Sequence, residues 1–482
     1  MPATYPPLPA NAATKRSKPV KMCMLSATLD EVVTSRAEAL INAGHVVTIL
    51  CIDKTGHPPQ NAKIEMLPSY EEFNIRAPNY IRRPYEAYLW LKDKSFDIIH
   101  YSEQSGLGHY LGIAKRQGLA FASTLLCANA VGPSLQATQA KGLFPKSVND
   151  LGIGFMERES VTSADILIAS DANIPGWMAE QGWNLPKQTY LTSKSDLKPW
   201  IEWHDHLPEV KVESQKLAIF TKKTAPLVSI CICHHNRPVF LKQALASVEV
   251  QDYPNFEVVL VDDGSTEPSA CAYLDELEPI FRKNKWQLIR QKNLYQGAAT
   301  NNAVKHARGE YIKLMDDDDI AQPSELSTFV RIAETTGADI LTCFIDTFHG
   351  DTAPQPHQKP DNRYLFIGPA VAVGMFQNGF GGNNALMRRD MFMSLGGYVE
   401  DYGVGQTDWE FFARAALKGY SLEVIPEPLF WCRKTGDSMQ QTTHSHKNSL
   451  LSLRPYLAEV RPELQQALLL AFGMSQKSKS SA

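Results

Sequence analysis

Residues 310–323 read Glu310-Tyr311-Ile312-Lys313-Leu314-Met315-Asp316-Asp317-Asp318-Asp319-Ile320-Ala321-Gln322-Pro323. An apolar, β-prone run delivers four consecutive carboxylates, and the chain turns at Pro323. On an extended backbone Asp316 and Asp318 point to the same side. Two carboxylates so placed can share one hard cation and, through it, hold a diphosphate. Four like charges in a row repel one another, so a cationic group is expected beside them. A solvated acidic loop is the ordinary reading of such a run. An EF-hand is excluded: its sixth position would be Ala321 rather than Gly, and its twelfth Ser327 rather than Glu. The flanking sequence decides between loop and metal site.

Upstream, Leu227 to Cys233 begins a series of strand-like runs at Phe256–Val261, Trp286–Arg290, Tyr311–Met315 and Asp339–Phe344. Helical patterns at Phe240–Val250, Ala298–Ala307 and Glu325–Thr335 separate them. Asp262-Asp263-Gly264-Ser265 follows the run Val258–Val261 just as the four aspartates follow Lys313-Leu314-Met315. In open α/β sheets ligands bind beyond the carboxyl ends of the strands, so both acidic clusters are placed for a nucleotide and a metal.

The first half alternates in the same way. Lys21–Leu25 and His45–Leu50 read as strands around a helix over Ser35–Ala43 that Gly44 stops. Phe96–His100 and Ala164–Ser170 continue the pattern. The expected fold class is α/β, with an N-terminal Rossmann-like, doubly wound domain ahead of the second unit. The boundaries are 1–19, a basic Pro/Ala-rich disordered arm; 20–186, the first domain; 187–225, a linker; 226–455, the second domain; and 456–482, a helix and disordered tail.

The bulk numbers are those of a globular protein. Across 482 residues the net charge is −4, which argues neither for nucleic acid nor for a strongly acidic partner, and no nucleic-acid partner is expected. No run of eighteen apolar residues suggests a membrane span, and the N-terminus lacks a signal peptide's apolar core. Eight scattered cysteines, most in apolar runs, fit reduced thiols in the cytoplasm. The basic arm and the amphipathic Leu464–Phe472 stretch offer peripheral contact with the inner face of a membrane, although either pattern is more often a solvated face or a packing helix.

With these residues in place, the chain over 226–455 resembles glycosyltransferase family 2, the inverting GT-A fold. Val228 to Pro238 resembles the family's opening strand and turn, with His235 in place of the usual aromatic. Val261-Asp262-Asp263-Gly264-Ser265-Thr266 is similar to its nucleobase motif. Asn293 to Asn301, with Thr300 where Arg is common, resembles the loop and helix before the metal motif. Gly309 to Asp319 resembles the D-x-D-D segment. Gly396-Gly397-Tyr398 and Thr407-Asp408-Trp409-Glu410 resemble the acceptor side, where Thr407 replaces a Glu.

The resemblance implies a transferase taking a nucleotide-sugar, with a UDP-sugar favoured because a carboxylate near Asp263 can accept the N3–H of uracil. It places Asn236, Arg237, Asp262, Asp263, Asn301 and Asp316 on the donor. Asp316, Asp318 and Asp319 would hold Mg2+ or Mn2+, and Asp408 would act as the base. A role as helix cap is the plain alternative for Asp408. Asp317 falls where the family often has Ser and is expected to be dispensable. Asn383 and Asn384 either contact donor or acceptor or form a turn. Thr435 stands where the family often has a metal-binding His, with His444 and His446 downstream. The implied acceptor is a glycan or lipid-linked glycan of a bacterial surface. Two rivals are a sugar nucleotidyltransferase, whose Gly-rich phosphate loop is absent at His234–Arg237, and a non-catalytic assembly subunit.

The first half resembles the N-terminal domain of glycosyltransferase family 4, a GT-B enzyme. Ala43–Thr48, Asp97–His100, Glu157–Ser160 and Gln181–Pro186 carry the likeness. The donor-binding GT-B half is missing, which implies that this domain presents the acceptor or anchors a protein partner.

Overall fold

A computed structural model describes residues 5–9, 16, 18–53, 56, 58, 59, 61–193, 196–207, 225–435 and 445–479. The chain forms two compact units, one of Met1–Glu71 and Ala77–Gln215, the other of Glu72–Arg76 and Lys216–Ala482.

In chain order the first eight strands are β1 Lys21–Ser26, β2 Val46–Cys51, β3 Lys63–Met66, β4 Ile75–Arg76, β5 Ile98–Ser102, β6 Leu125–Ala130, β7 Ile166–Ala169 and β8 Gln188–Leu191. All but β4 build the first unit's sheet, in the order β3-β2-β1-β5-β6-β7-β8. Every pairing is parallel. The order reverses between β1 and β5, the signature of a doubly wound sheet. Helix Glu31–Asn42 shows why the local sequence folds so: Asp30 accepts the Val33 N–H at 2.8 Å, and Gly44 follows at φ +90°.

The expected boundary at Pro186 is corrected. Strand β8 forms the sheet's last edge, and helix Lys198–Asp205 sends Trp200, Trp203 and, just beyond it, Leu207 into the core. Trp200, Trp203, His204 and Leu207 follow helical spacing, a signal that the mixed composition obscured. Residues 208–224 of the expected linker lie outside the described residues. Part of the N-terminal arm also packs: Leu8 is buried, Pro7 pairs with Leu191, and Arg16 bridges to Asp97 at 3.0 Å. Residues 1–4, 10–15 and 17 are outside the description, as are 480–482, while the last helix runs Pro462–Lys479. That helix replaces the disordered segment expected from Ser475.

Beyond the carboxyl ends of β5 and β6 two glutamates organise the loops. Glu103 accepts the N–H groups of Val131 and Gly132 at 2.9 and 2.7 Å, and Glu157 accepts those of Ser105 and Ser134 at 3.1 and 2.9 Å. Burial pushes the Glu103 carboxyl up to about 7 against these N–H donors, and the charge of Glu157 adds to the shift. A carboxyl raised in the folded state contributes stability below its unfolded value, and this is lost as pH rises through the folded one. Stability is therefore expected to fall by on the order of 3 kcal/mol between about pH 4.5 and 7. Urea melts across that window should show a shallower slope for Glu103→Gln.

The second unit's strands are β9 Val228–His234, β10 Phe256–Asp263, β11 Gln287–Gln291, β12 Tyr311–Asp316, β13 Ile320–Ala321, β14 Ile340–His349, β15 Asn362–Tyr364, β16 Leu386–Arg388 and β17 Leu422–Lys434. They run β11-β10-β9-β12-β16-β14-β15-β4, with β17 beside β13 and β14. Strands β11, β10, β9 and β12 are parallel, and β16 is antiparallel to β12. Strand β4 closes the far edge against β15, so the second unit includes residues from within the expected 20–186 domain. The sheet buries Val259, Val261, Ile312 and Leu314 against Phe411, Phe412 and Tyr456 from the helices. All eight cysteines are free thiols.

Candidate active site

Parallel register assembles the site. Asp262 lies opposite His234, and Asp316 opposite Cys233, so the ends of β9, β10 and β12 bring their acidic and imidazole groups to one edge. They border a cavity of about 940 Å3 lined by His235, Arg237, Asp263, Asp316, Asp318 and Asp408, among others. That volume suits a nucleotide-sugar-sized ligand.

The four aspartates have four different surroundings. Asp316 and Asp318 line the cavity. Asp316 Oδ1 accepts from Gln296 Nε2 at 3.0 Å and Asn383 Nδ2 at 2.8 Å, and Tyr398 donates its hydroxyl to Asn383 Oδ1 at 3.0 Å. Burial and the neighbouring Asp318 push the Asp316 carboxyl up to about 6 against the pull of Arg237. Burial raises Asp318 too, opposed by the Arg237 guanidinium 2.8 Å away. Asp319 is turned inward, 3 % exposed, and burial followed by Asp316 and Asp318 holds its carboxyl well above the usual range, against Lys313 and Asn384.

Asp317, expected to be dispensable, is fully buried. His234 Nδ1–H donates to it at 2.7 Å, and Arg237 pairs with its other oxygen. It is the post to which the β9 turn is tied. Arg237 is the cation that the run required: burial works against its charge, but Asp317, Asp318 and Asp316 outweigh this and keep it ionised. Breaking such a buried pair leaves His234 facing nothing. Asp317→Ala is expected to cost about 3 kcal/mol in a urea melt, and more than Asp318→Asn, whose side chain is less buried.

The carboxylates fit a divalent cation. Asp318 raises the proton affinity of Asp316, and both raise that of Asp319, a crowding of charge that a dication would relieve. Among the described residues no three His, Cys, Asp or Glu groups could hold an ion by themselves. Asp316 and Asp318 would leave the remaining coordination positions to water and phosphate, as Mg2+ sites commonly do. Asp319 is not among the residues lining the cavity. Thr435 is, whereas His446 is exposed and His444 lies outside the described residues.

The expected donor contacts divide. Asp263 lines the cavity, its Oδ1 accepting from Gln291 Nε2 and the Leu294 N–H, both at 2.8 Å. Asp262 accepts the Ser265 N–H at 3.1 Å within its own turn. Asn236, in the left-handed region at φ +55°, accepts the N–H groups of Thr266 and Glu267 at 2.8 and 2.9 Å. It shapes the loop around the cavity without lining it. Asn301 is not among the residues lining the cavity; it donates to Tyr398 O and Glu400 Oε1, and accepts the Tyr398 N–H, all at 2.8 Å. Its hydrogen bonds are spent on the 398–400 loop.

Asp408 lines the cavity from helix Thr407–Leu417. The cap position belongs to Gln406 at φ +61°, so Asp408 is within the first turn rather than the cap. Burial pushes its carboxyl up to about 6, against the Trp409 N–H and with the charge of Asp316. A carboxylate tuned upward in this way takes a proton more readily near neutrality. The helix is anchored by Trp409 Nε1 donating to Gly374 O at 2.7 Å and by Arg414, held by Glu410 within the helix, donating to the carbonyls of Leu395 and Gly397. Sequence reasoning missed Gln296, Tyr402 and Arg433 on the cavity wall. Gln296 had one usable signal, its place at the start of the helix that leads toward β12.

A mixed sheet of this order, with carboxylates at its parallel strand ends and another on a facing helix, is the GT-A nucleotide-diphospho-sugar transferase fold. The family model described as Glycosyl transferase family 2 matches residues 229–396, and that described as Glycosyltransferase like family 2 matches 365–460. An uncharacterized glycosyltransferase of Haemophilus influenzae is 31% identical over 235 residues, 47% of this chain and 71% of that protein. The putative glycosyltransferase EpsH of Bacillus subtilis is 28% identical over 224 residues, 43% of this chain and 61% of EpsH. The uncharacterized protein y4gI of Sinorhizobium fredii is 33% identical over 153 residues, 30% of this chain and 16% of that protein. The chain thus spans less than two thirds of the latter two relatives. The chain belongs to glycosyl transferase family 2.

Proposed function

We propose that the protein is an inverting, metal-dependent glycosyltransferase that moves a sugar from a nucleotide-sugar, a UDP-sugar by preference, to a glycan or lipid-linked acceptor of a bacterial surface polysaccharide. The observation that carries this reading is the single cavity shared by Asp263, Asp316, Asp318 and Asp408. Asp263, held by Gln291 and Leu294, is placed to meet the nucleobase. Asp316 and Asp318 would hold Mg2+ or Mn2+, which when bound neutralises charge developing on the diphosphate. Asp408 would take the proton of the acceptor hydroxyl. Gln296, Asn383 and Tyr398 fix the orientation of Asp316, and Arg237 pairs with Asp318 and opposes the rise in its proton affinity.

The first unit, which resembles a GT-B N-terminal half in sequence, is proposed to present the acceptor or anchor a protein partner. Sugar transfer by a 1–210 fragment alone would remove that assignment. No helix among the described residues is long and apolar enough to cross a membrane; a cytoplasmic place, with peripheral membrane contact, is part of the proposal.

The test is a donor-hydrolysis and transfer assay across UDP-, GDP- and dTDP-sugars with Mn2+ or a chelator. Release of nucleoside diphosphate that stops with chelator supports the reading. Pyrophosphate release would instead indicate a nucleotidyltransferase. No turnover with any donor or metal would indicate a non-catalytic subunit.

A further inference from the structure

Two tyrosines on the cavity wall have no part in the scheme above. Tyr402 is 67 % exposed, and its ring lies 4.3 Å from that of Tyr295, centroid to centroid, tilted by 58°. Both line the cavity together with Gln406, Thr407 and Asp408. Among the described residues neither hydroxyl makes a hydrogen bond to another group. Tyr295 holds φ +71°, a region where a side chain is strained and glycine is not. Its neighbours keep it there: Asp263 accepts the Leu294 N–H, and Gln296 donates to Asp316. Strain held by its surroundings at a cavity wall is a pointer to function.

We propose that the Tyr295–Tyr402 pair is the platform on which a pyranose ring of the acceptor stacks, with one hydroxyl turned toward Asp408. This rests on the transferase reading. A pyranose has an apolar C–H face that matches an exposed aromatic ring, and peripheral hydroxyls that match the tyrosine O–H groups. A nucleobase would also stack. The segment bearing Tyr402 leads directly into the helix of Asp408, however, whereas the polar groups placed for the base belong to the ends of β9 and β10. The acceptor is therefore a carbohydrate at its reacting end, whatever carries it.

The test uses the full chain with Mn2+ and two probes. Saturation-transfer NMR reads methyl β-D-glucopyranoside, methyl β-D-galactopyranoside and methyl N-acetyl-β-D-glucosaminide; calorimetry reads UDP, GDP and dTDP. At least one glycoside should take up saturation, strongest on the C–H protons of one ring face. Tyr402→Ala should lower it at least fivefold, Tyr402→Phe and Tyr402→Trp should retain it, and UDP affinity should stay within twofold throughout. Tyr295→Gly should raise the unfolding midpoint while lowering the saturation. With UDP bound, the absence of any glycoside signal, or a signal that survives Tyr402→Ala, overturns the platform alone. A loss of UDP affinity in Tyr402→Ala reassigns the pair to the nucleobase and overturns it as well. Failure of UDP, GDP and dTDP alike to bind the unaltered chain sinks the transferase reading, and the platform with it.

Discussion

Asp408→Asn is expected to lower kcat by about 10²–10⁴-fold, the usual contribution of a positioned general base, while leaving UDP affinity unchanged. The amide keeps the size of the side chain and can still meet the helix N–H groups, so folding should be preserved. Only the capacity to take a proton is removed. In the unaltered chain the rate should rise through about pH 6 as the carboxyl ionises, since burial and Asp316 set it there. That limb should vanish in the variant. Loss of UDP binding in Asp408→Asn would show the residue to be a donor contact, and an unchanged kcat would remove it from the chemistry.

Asp318→Ala should abolish metal-dependent turnover, by about 10²–10³-fold or more, the scale of losing a group that stabilises transition-state charge. Asp318 is one of two carboxylates of the run on the cavity wall, and no third acidic, cysteine or histidine group among the described residues is grouped with them to replace it. The variant also frees Arg237 of one of its two carboxylate partners. Mn2+ affinity, followed by electron paramagnetic resonance without donor, should fall along with the rate. Retained Mn2+ affinity with lost turnover would assign Asp318 to positioning Arg237 instead of binding the ion.

The strand ends were legible because they are local: an apolar run that stops at a carboxylate announces both the strand and its edge. The doubly wound first unit was legible for the same reason. What escaped depends on partners distant in sequence. Asp317 looked spare because His234 and Arg237 lie some 80 residues upstream. The hydrogen bonds that Asn301 makes with residues 398–400, nearly 100 positions away, were invisible for the same reason. The helix at 198–205 was hidden by composition, two tryptophans among charges, although its spacing was helical. Tyr402 carries no motif at all, and its exposure becomes visible only in three dimensions.

Strand β4 bears on how the gene can be cut. Asn74 donates to the Asp361 carbonyl across 287 residues of chain, and β4 pairs with β15 through Ile75 and Arg76. During synthesis this short segment leaves the ribosome long before its mate exists, so this edge of the second sheet can close only after β15 has been made. A fragment begun at residue 226 would have the whole proposed chemistry and lack this closing strand. Its β15 would present open backbone groups to any passing chain, a template for edge-to-edge aggregation. A soluble catalytic fragment should therefore be built with residues 72–76 supplied, or with β15 blunted by charge.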